Sequence, residues 1–288
     1  MAEIKAGIII LLLTLVSLVL IPLQWAAIRL RLPARQILPR IWHRTATRLV
    51  GIRIRQIGEP AADRPLLIAA NHTSWLDISV IGSLMPLSFI AKSEVSGWPV
   101  FGLLAKLQRT VFVNRSRRAH TAQVADAIAE RLAAGDTMVL FAEGTSNDGN
   151  GVLPFRSALL GAATRPAGSE QSSRVWVQPL SIAYQGYYGV PMGRAHRPYV
   201  AWYGDMELAG HLWGVFCRGA LDVVVRWGEP VLVDTDTDRK ALTRRLEADV
   251  RAMTIASLLQ MPVESDETGD IDPFDFFSNA EKTAKAGA

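Results

Sequence analysis

Residues 66–77 read LLIAANHTSWLD, five apolar residues that run directly into a polar segment with a histidine and an aspartate. A short, uninterrupted apolar run of this length predicts a buried β-strand over Leu66–Ala70. The next residues, WLDISVIGSL, have a pattern typical of a helix, which is predicted over Trp75–Leu84. A buried strand, a short loop and a helix are the repeating unit of α/β folds.

The same alternation continues along the chain and predicts an α/β domain, with a mostly parallel sheet flanked by helices. Further helices are predicted at Thr121–Ala134 and Asp238–Gln260. The other predicted strands are Ser88–Ala91, Thr110–Val113, Met138–Ala142, Val175–Ala183 and Val223–Trp227.

The segment 6–28 is a run of 23 residues without a charge. As a helix it measures about 35 Å, enough to cross a bilayer core. Eight arginines and no acidic residue lie between Arg29 and Arg55, and this positive flank favours a cytoplasmic location for the rest of the chain. We therefore expect residues 1–32 to anchor the protein in a membrane. A signal peptide is the competing interpretation, and Pro22 leaves a shallow or re-entrant insertion open.

A second helix is predicted directly after the anchor. Its apolar positions recur at helical spacing: Leu38, Ile41, Trp42, Thr45 and Leu49. Its arginines follow one another four residues apart: Arg40, Arg44 and Arg48. The pattern predicts an amphipathic helix in the membrane interface, or alternatively a core helix whose arginines face water.

Composition divides the remainder into an α/β domain over residues 33–261 and an acidic tail over 262–288. The tail carries seven acidic residues and two lysines, and we expect it to be disordered. The chain has a net charge of +4, but its arginines concentrate beside the apolar segment. This placement favours an anionic membrane surface over a nucleic acid as partner. A single cysteine, Cys217, excludes a disulfide framework and a cysteine zinc site.

The polar segment after the first predicted strand holds the candidate catalytic pair. His72 falls at the carboxyl end of that strand, where open α/β sheets gather ligand and catalytic sites. Asp77, five positions later, can fold back and hold one imidazole nitrogen, which leaves the other nitrogen available as a general base. The other histidines have no aspartate at this offset and are interpreted as structural: His43, His120, His196 and His211.

Two more predicted strands end in polar residues. Thr110–Val113 delivers Arg115 to the same edge of the sheet, and a guanidinium suits a carboxylate or a phosphate. Met138–Ala142 runs into Glu143–Ser146, where a glycine lets the backbone approach a ligand and two hydroxyls add donors. The sequence has no P-loop and no G-x-G-x-x-G, G-x-S-x-G or H-E-x-x-H motif.

In this order, the segments closely resemble the glycerolipid acyltransferase superfamily, which includes bacterial 1-acylglycerol-3-phosphate acyltransferases. The family's NHxSxxD, FxxR and FPEGTR blocks correspond to Asn71–Asp77, Phe112–Arg115 and Phe141–Ser146. Its later strand, which ends near a proline, corresponds to Val177–Leu180. The resemblance covers residues 45–235.

The resemblance implies direct acyl transfer without a covalent acyl-enzyme. His72 would take the proton from a lysolipid hydroxyl while Asp77 orients the ring. The hydroxyl oxygen would attack the thioester of an acyl-CoA or an acyl carrier protein. Arg115 and Glu143-Gly144-Thr145 would hold the head group of the acceptor. No metal and no cofactor is implied, and the expected location is the cytoplasmic face of a bacterial inner membrane.

The chain departs from the family pattern in the FPEGTR block. Ala142 replaces the proline and Ser146 replaces the arginine, and the loss of that arginine removes a partner for phosphate. A hydroxylated acceptor without phosphate therefore fits better. Stretches such as Phe89–Val95 resemble the branch that acylates lyso-ornithine lipid. Lysophosphatidate is the alternative acceptor.

Within that branch, three cations are candidates for the carboxylate of ornithine: Lys92, Arg115 and Arg156. Two other function classes stay open at this point. One is a lipid-binding protein without turnover, which would never consume acyl-CoA. The other is a thioesterase or lipase that uses water, although the missing G-x-S-x-G motif weighs against a serine hydrolase.

Overall fold

The computed structural model describes residues 1–113, 118–161 and 174–260, and for 118–125 it describes the backbone alone. The helices are α1 (Ala2–Arg29), α2 (Ala34–Val50), α3 (Leu76–Leu84), α4 (Phe101–Leu107), α5 (Arg118–Ala133), α6 (Ser157–Leu160), α7 (Leu208–Arg218) and α8 (Arg239–Leu258). The strands are β1 (Arg53–Ile57), β2 (Leu66–Ala70), β3 (Ser88–Lys92), β4 (Val111–Val113), β5 (Thr137–Phe141), β6 (Val175–Tyr187), β7 (Val190–Pro191), β8 (Leu221–Trp227) and β9 (Val231–Val233).

The predicted α/β fold is confirmed, and each predicted strand and helix is present. The described strands form one sheet in the order β1-β8-β6-β2-β5-β3-β4, with β7 and β9 also paired to β6. The pairs among β2, β3, β4, β5 and β6 are parallel, as is β1 with β8. Strand β6 is antiparallel to β7, β8 and β9. The sheet is therefore mostly parallel, and the carboxyl ends of β2, β3 and β5 meet at one edge.

The central strand β2 is buried on both faces. Its side chains alternate between two apolar cores, with Leu66, Ile68 and Ala70 in one and Leu67 and Ala69 in the other. This alternation follows from the two-residue repeat of a strand. Helices α1, α2, α3 and α7 cover the first core, and α5, α6 and α8 cover the second. A strand covered on both faces must be apolar throughout, as LLIAA is.

Helix α1 lies along the domain and does not stand apart from it. Among the described residues it is the one helix long and apolar enough to cross a membrane. Lys5 donates to the carbonyl of Arg218 near its start, and Ser17 accepts from Trp42 Nε1 further along. The opposite face is apolar and exposed: Ile4, Ile8, Leu11, Leu15, Leu18 and Trp25. Helix α1 thus has an inner stripe that packs on protein and an outer stripe that suits lipid.

Helix α2 has one face that packs in the protein core and another that is apolar and exposed, so it combines features of both sequence-based interpretations. His43, Ala46, Thr47 and Val50 are buried against α3 and neighbouring elements. Ile37 and Ile41 are exposed. The helix therefore contributes to the core and to the apolar surface that α1 presents. The predicted tail over 262–288 lies outside the described residues.

Candidate active site

The loop that joins β2 to α3 is held in place by hydrogen bonds to three other segments. Asn71 exchanges two bonds with the backbone of Ile182 on β6, at 2.8 and 2.9 Å. The amide of Asn147 donates to the His72 carbonyl at 3.0 Å, and the amide of Trp202 donates to the Thr73 carbonyl at 2.9 Å. The loop is therefore rigidly placed at the carboxyl edge of the sheet.

His72 and Asp77 meet as predicted. His72 Nδ1 and Asp77 Oδ2 are 2.8 Å apart, and the same oxygen accepts the amides of Thr73 at 2.7 Å and Ser74 at 2.9 Å. The other carboxylate oxygen accepts the hydroxyl of Tyr184 at 2.7 Å. Since every partner donates to the carboxylate, Nδ1 must carry the imidazole proton. In the neutral ring Nε2 then holds a lone pair, which is what a general base requires.

The side chains of His72 and Asp77 differ in solvent exposure. The side chain of Asp77 is 0% exposed, whereas that of His72 is 18% exposed. The imidazole stacks on Phe141, with ring centroids 4.0 Å apart. Among the described residues none bonds to Nε2. The ring is thus clamped by Phe141 and Asp77 while its basic nitrogen is open for a substrate.

Burial also acts on Tyr184. Desolvation, reinforced by the charge of Asp77, raises the pKa of its hydroxyl well above the usual value. The hydroxyl is therefore protonated and donates to Asp77.

A cavity of about 590 Å³ opens beside His72. Its walls come from the inner faces of α1, α2 and α4, from β3 and from the loop after β5. Most of the lining is apolar, and the aromatic members are Trp42, Trp75, Phe89, Trp98, Phe101, Phe141 and Trp202. A largely apolar cavity of this volume, with an imidazole nitrogen in its wall, suits a substrate with a hydrocarbon chain.

Glu143 lies behind the loop that joins β2 to α3 and is only 1% exposed. Its Oε1 accepts the amide of His72 at 3.1 Å, and its Oε2 accepts Asn147 Nδ2 at 2.7 Å. Burial raises the pKa of Glu143 to about 7, although these hydrogen bonds oppose the rise. The carboxyl group thus ties the loop after β5 to the loop after β2, and it is not part of the cavity wall.

Glu143 predicts a pH dependence of folding. A carboxyl whose pKa rises from 4.5 to about 7 on folding favours the folded state most at low pH, and this stabilisation is lost as the pH rises through about 7. Relative to Glu143→Gln, the wild type should lose about 3 kcal/mol of unfolding free energy as the pH rises from 4.5 to about 7. Urea unfolding of both proteins across the pH series measures the difference. If the unfolding free energies of the wild type and Glu143→Gln changed with pH in parallel, the raised pKa of Glu143 would be contradicted.

The other predicted site residues divide into three groups. Lys92, Gly144, Thr145 and Ser146 line the cavity near His72. Arg156 is not part of the cavity wall, and its Nε donates to the Glu143 carbonyl at 3.1 Å. Arg115 lies outside the described residues.

Among the remaining histidines, His43 is buried and its ring nitrogens contact Ser79 and Gln108. His211 Nδ1 accepts from Trp75 Nε1 at 3.0 Å. His196 is exposed, and for His120 the structure describes the backbone alone. Within the described ranges, no group of three or more histidine, cysteine, aspartate or glutamate side chains is arranged to hold a metal ion.

Tyr184 and Asn147 were not predicted as site residues, although they bond to Asp77 and Glu143 respectively. The predicted strand ended at Ala183, one residue before the tyrosine. A strand extended by one residue would have placed Tyr184 on the same face as Ile182, but no spacing rule connects it to Asp77. Asn147 follows the Glu143–Ser146 block directly, and nothing in its neighbourhood marks it as a partner of Glu143.

Comparisons with known proteins agree with this geometry. The profile of the family described as Acyltransferase matches residues 51–183. A lyso-ornithine lipid O-acyltransferase of Brucella abortus is 52% identical over 84% of this chain and 91% of its own. A 1-acyl-sn-glycerol-3-phosphate acyltransferase of Neisseria gonorrhoeae is 34% identical over 69% of this chain and 73% of its own.

A crystal structure supports the fold. The 1-acyl-sn-glycerophosphate (LPA) acyltransferase PlsC from Thermotoga maritima superimposes with a TM-score of 0.57 over 92% of this chain and 100% of its own, at 22% identity. The matched profile spans the loop of His72 and Asp77 and the block of Glu143. The alignment with the Brucella abortus relative covers 243 residues and extends well beyond the profile. This chain therefore belongs to the acyltransferase family and is an acyltransferase of the glycerolipid superfamily.

Proposed function

We propose that the protein is a membrane-bound O-acyltransferase that moves a fatty acyl chain from an acyl carrier protein or CoA thioester to the free hydroxyl of lyso-ornithine lipid. One observation carries this proposal. His72 Nε2 opens on an apolar cavity while Asp77 holds Nδ1 at 2.8 Å. A base at the mouth of a lipid-sized cavity suits proton removal from a lipid hydroxyl.

In the proposed reaction, Nε2 of His72 takes the hydroxyl proton as the oxygen attacks the thioester carbonyl carbon. The new C–O bond forms, the C–S bond breaks, and the proton passes to the departing thiolate. Asp77 stabilises the imidazolium that exists between these two proton transfers. No covalent acyl-enzyme and no metal is needed. The cavity between α1, α2 and α4 would hold the acyl chain.

Two observations support a phosphate-free acceptor. The Brucella abortus relative, named for lyso-ornithine lipid, is 52% identical, whereas the Neisseria gonorrhoeae relative, named for 1-acyl-sn-glycerol-3-phosphate, is 34% identical. Ser146, which stands where the family motif has an arginine, lines the cavity near His72. A serine hydroxyl offers no charge to a phosphate, whereas a guanidinium offers a bidentate, charge-assisted contact.

The charges at the cavity mouth also suit a zwitterion. Lys92 and Asp205 both line the cavity and both are exposed. An ornithine that is acylated on its α-nitrogen keeps a carboxylate and a side-chain ammonium. Lys92 would meet the carboxylate and Asp205 the ammonium. A phosphate dianion would instead face an aspartate without the arginine that compensates for it.

The outer stripe of α1 and the exposed isoleucines of α2 would insert into the cytoplasmic leaflet of the bacterial inner membrane. The exposed arginines of α1, α2 and their connection would contact anionic head groups, each contributing about 1 kcal/mol: Arg29, Arg31, Arg44 and Arg48. Since the inner stripe of α1 is bonded to the domain, this arrangement holds the cavity at the membrane surface. A lysolipid could then enter without leaving the interface.

The acceptor is tested with purified protein in detergent and a labelled acyl thioester. We expect kcat/KM for lyso-ornithine lipid to exceed that for lysophosphatidate by about tenfold or more, because the phosphate lacks its charged partner. Ser146→Arg should raise kcat/KM for lysophosphatidate and so reduce the preference for lyso-ornithine lipid. Product formation is measured by mass spectrometry.

Ser146→Leu is the matched control, since it adds bulk at the same place without charge. It should not improve use of lysophosphatidate. A wild type that prefers lysophosphatidate would overturn the acceptor and favour the alternative function, synthesis of phosphatidic acid. A wild type that consumes the thioester equally fast without any acceptor would favour a thioesterase.

A further inference from the structure

The cavity wall carries polar side chains at the end far from His72 as well as at its mouth. Four polar side chains line the far end: Gln24, His43, Ser79 and Gln108. Gln108 Nε2 donates to the carbonyl of Leu87, the residue before β3. His72 stacks on Phe141, which lies level with Ala91 near the opposite end of β3. Four strand residues separate the two levels by about 13 Å.

Three of these side chains satisfy one another. Because Gln108 donates to Leu87, its Oε1 is the acceptor for His43 Nε2 at 3.0 Å, so Nε2 carries the proton of His43. Burial lowers the pKa of His43 to about 4, which keeps the ring neutral. His43 Nδ1 therefore accepts the hydroxyl of Ser79 at 3.3 Å. This chain of bonds joins α2, α3 and α4 and needs no ligand.

Gln24 is different. Its amide nitrogen donates to two backbone carbonyls, of Leu107 at 2.7 Å and of Arg35 at 2.9 Å. These two acceptors fix the orientation of the amide, since a flipped group would place oxygen against oxygen. The side chain is 4% exposed, and its Oε1 has no partner. Among the described residues that line the cavity, it is the one buried polar side-chain atom left unpaired.

We propose that Gln24 Oε1 is a binding site for a hydroxyl group on the distal part of an acyl chain, so that the cavity selects hydroxylated acyl donors. The inference rests on the proposed function, in which this cavity holds the acyl chain. Gln24 is the one strongly polar side chain in the run 6–28 apart from hydroxyls. A buried acceptor without a partner is costly, and a ligand hydroxyl removes that cost.

The test measures binding separately from turnover. Trp42, Trp75 and Trp98 line the cavity and report occupancy by their fluorescence. The probes are palmitate, β-hydroxypalmitate and palmitates whose hydroxyl moves stepwise along the distal half. We expect one distal position to bind roughly tenfold more tightly than palmitate, the size expected for satisfying a buried acceptor. In the proposed reaction the thioester carbonyl meets His72, so a β-hydroxyl would lie close to His72 and should give no such gain. The corresponding thioesters should show the same order in kcat/KM.

Gln24→Met should abolish the distal preference, so that palmitate and the hydroxypalmitates bind with the same affinity. Leu20→Met, one turn earlier on the same cavity wall, is the matched control and should keep the preference. Equal binding of all the palmitates to the wild type would overturn the inference even if Gln24→Met did not fold. A preference that survives in Gln24→Met would also overturn it. Absence of transfer from every thioester would contradict the proposed function, whereas the fluorescence result would still decide the role of Gln24.

Discussion

His72→Ala is expected to lower kcat by about 10²–10⁴-fold, the usual contribution of a general base. The substitution removes the only nitrogen that the described structure presents to the cavity beside a fixed carboxylate. It leaves the bonds of Asp77 to Thr73, Ser74 and Tyr184 in place. The protein should therefore fold and bind lysolipid while product formation falls. The measurement is single-turnover transfer of a labelled acyl chain.

The control for this experiment is His196→Ala. His196 is exposed and is not part of the cavity wall, so its loss should leave kcat unchanged. Thermal unfolding of both variants separates a catalytic loss from misfolding. A folded His72→Ala protein that keeps more than a tenth of the wild-type kcat would rule out the assigned base.

Asp77→Asn is expected to lower kcat by a similar factor, about 10²–10⁴-fold, through the orientation and charge of His72. The amide oxygen can still accept the amides of Thr73 and Ser74, and its NH₂ can donate to the Tyr184 oxygen. The fold should therefore survive, with a loss of about 1–3 kcal/mol of unfolding free energy from the weaker hydrogen bonds. The charge that stabilises an imidazolium would be gone.

The distribution of this loss between kinetic constants identifies the role of Asp77. Its side chain is 0% exposed and does not line the cavity, so KM for the lysolipid should stay near the wild-type value while kcat falls. Tyr184→Phe removes one hydrogen bond to the same carboxylate and keeps its charge, so its effect on kcat should be much smaller. If Asp77→Asn raised KM and left kcat unchanged, Asp77 would be a binding residue and the proposed mechanism would fail.

The sequence predicted the elements of the sheet well because each depends on neighbouring residues. Leu66–Ala70 reads as a strand covered on both faces, and that property is set by five adjacent side chains. His72 and Asp77 are five residues apart, so their contact is also local, and the loop geometry confirms it. Weaker patterns were missed, such as the strand Arg53–Ile57, whose burial is only partial and whose partner is β8.

The resemblance to a family located the His72–Asp77 block but not the hydrogen bonds that hold it in place. Glu143 was expected to bind the acceptor, yet the fold places it behind the His72 loop with its oxygens taken by His72 and Asn147. Arg156 was a candidate for the ornithine carboxylate and is bonded to the Glu143 carbonyl. Burial removes Glu143 from the cavity wall, and burial depends on the packing of the whole domain.

The strands and helices, the contact between His72 and Asp77 and the apolar N-terminal helix thus follow from local patterns in the amino-acid sequence. The hydrogen bonds that hold Asp77 and the lining of the cavity depend on the tertiary structure. Tyr184 reaches Asp77 across 107 positions, and Gln24 reaches Leu107 across 83. Such contacts depend on strand register and helix packing, which no short window of sequence contains. Local periodicity selects which face of an element is buried, whereas only the assembled fold decides which distant side chain it meets there.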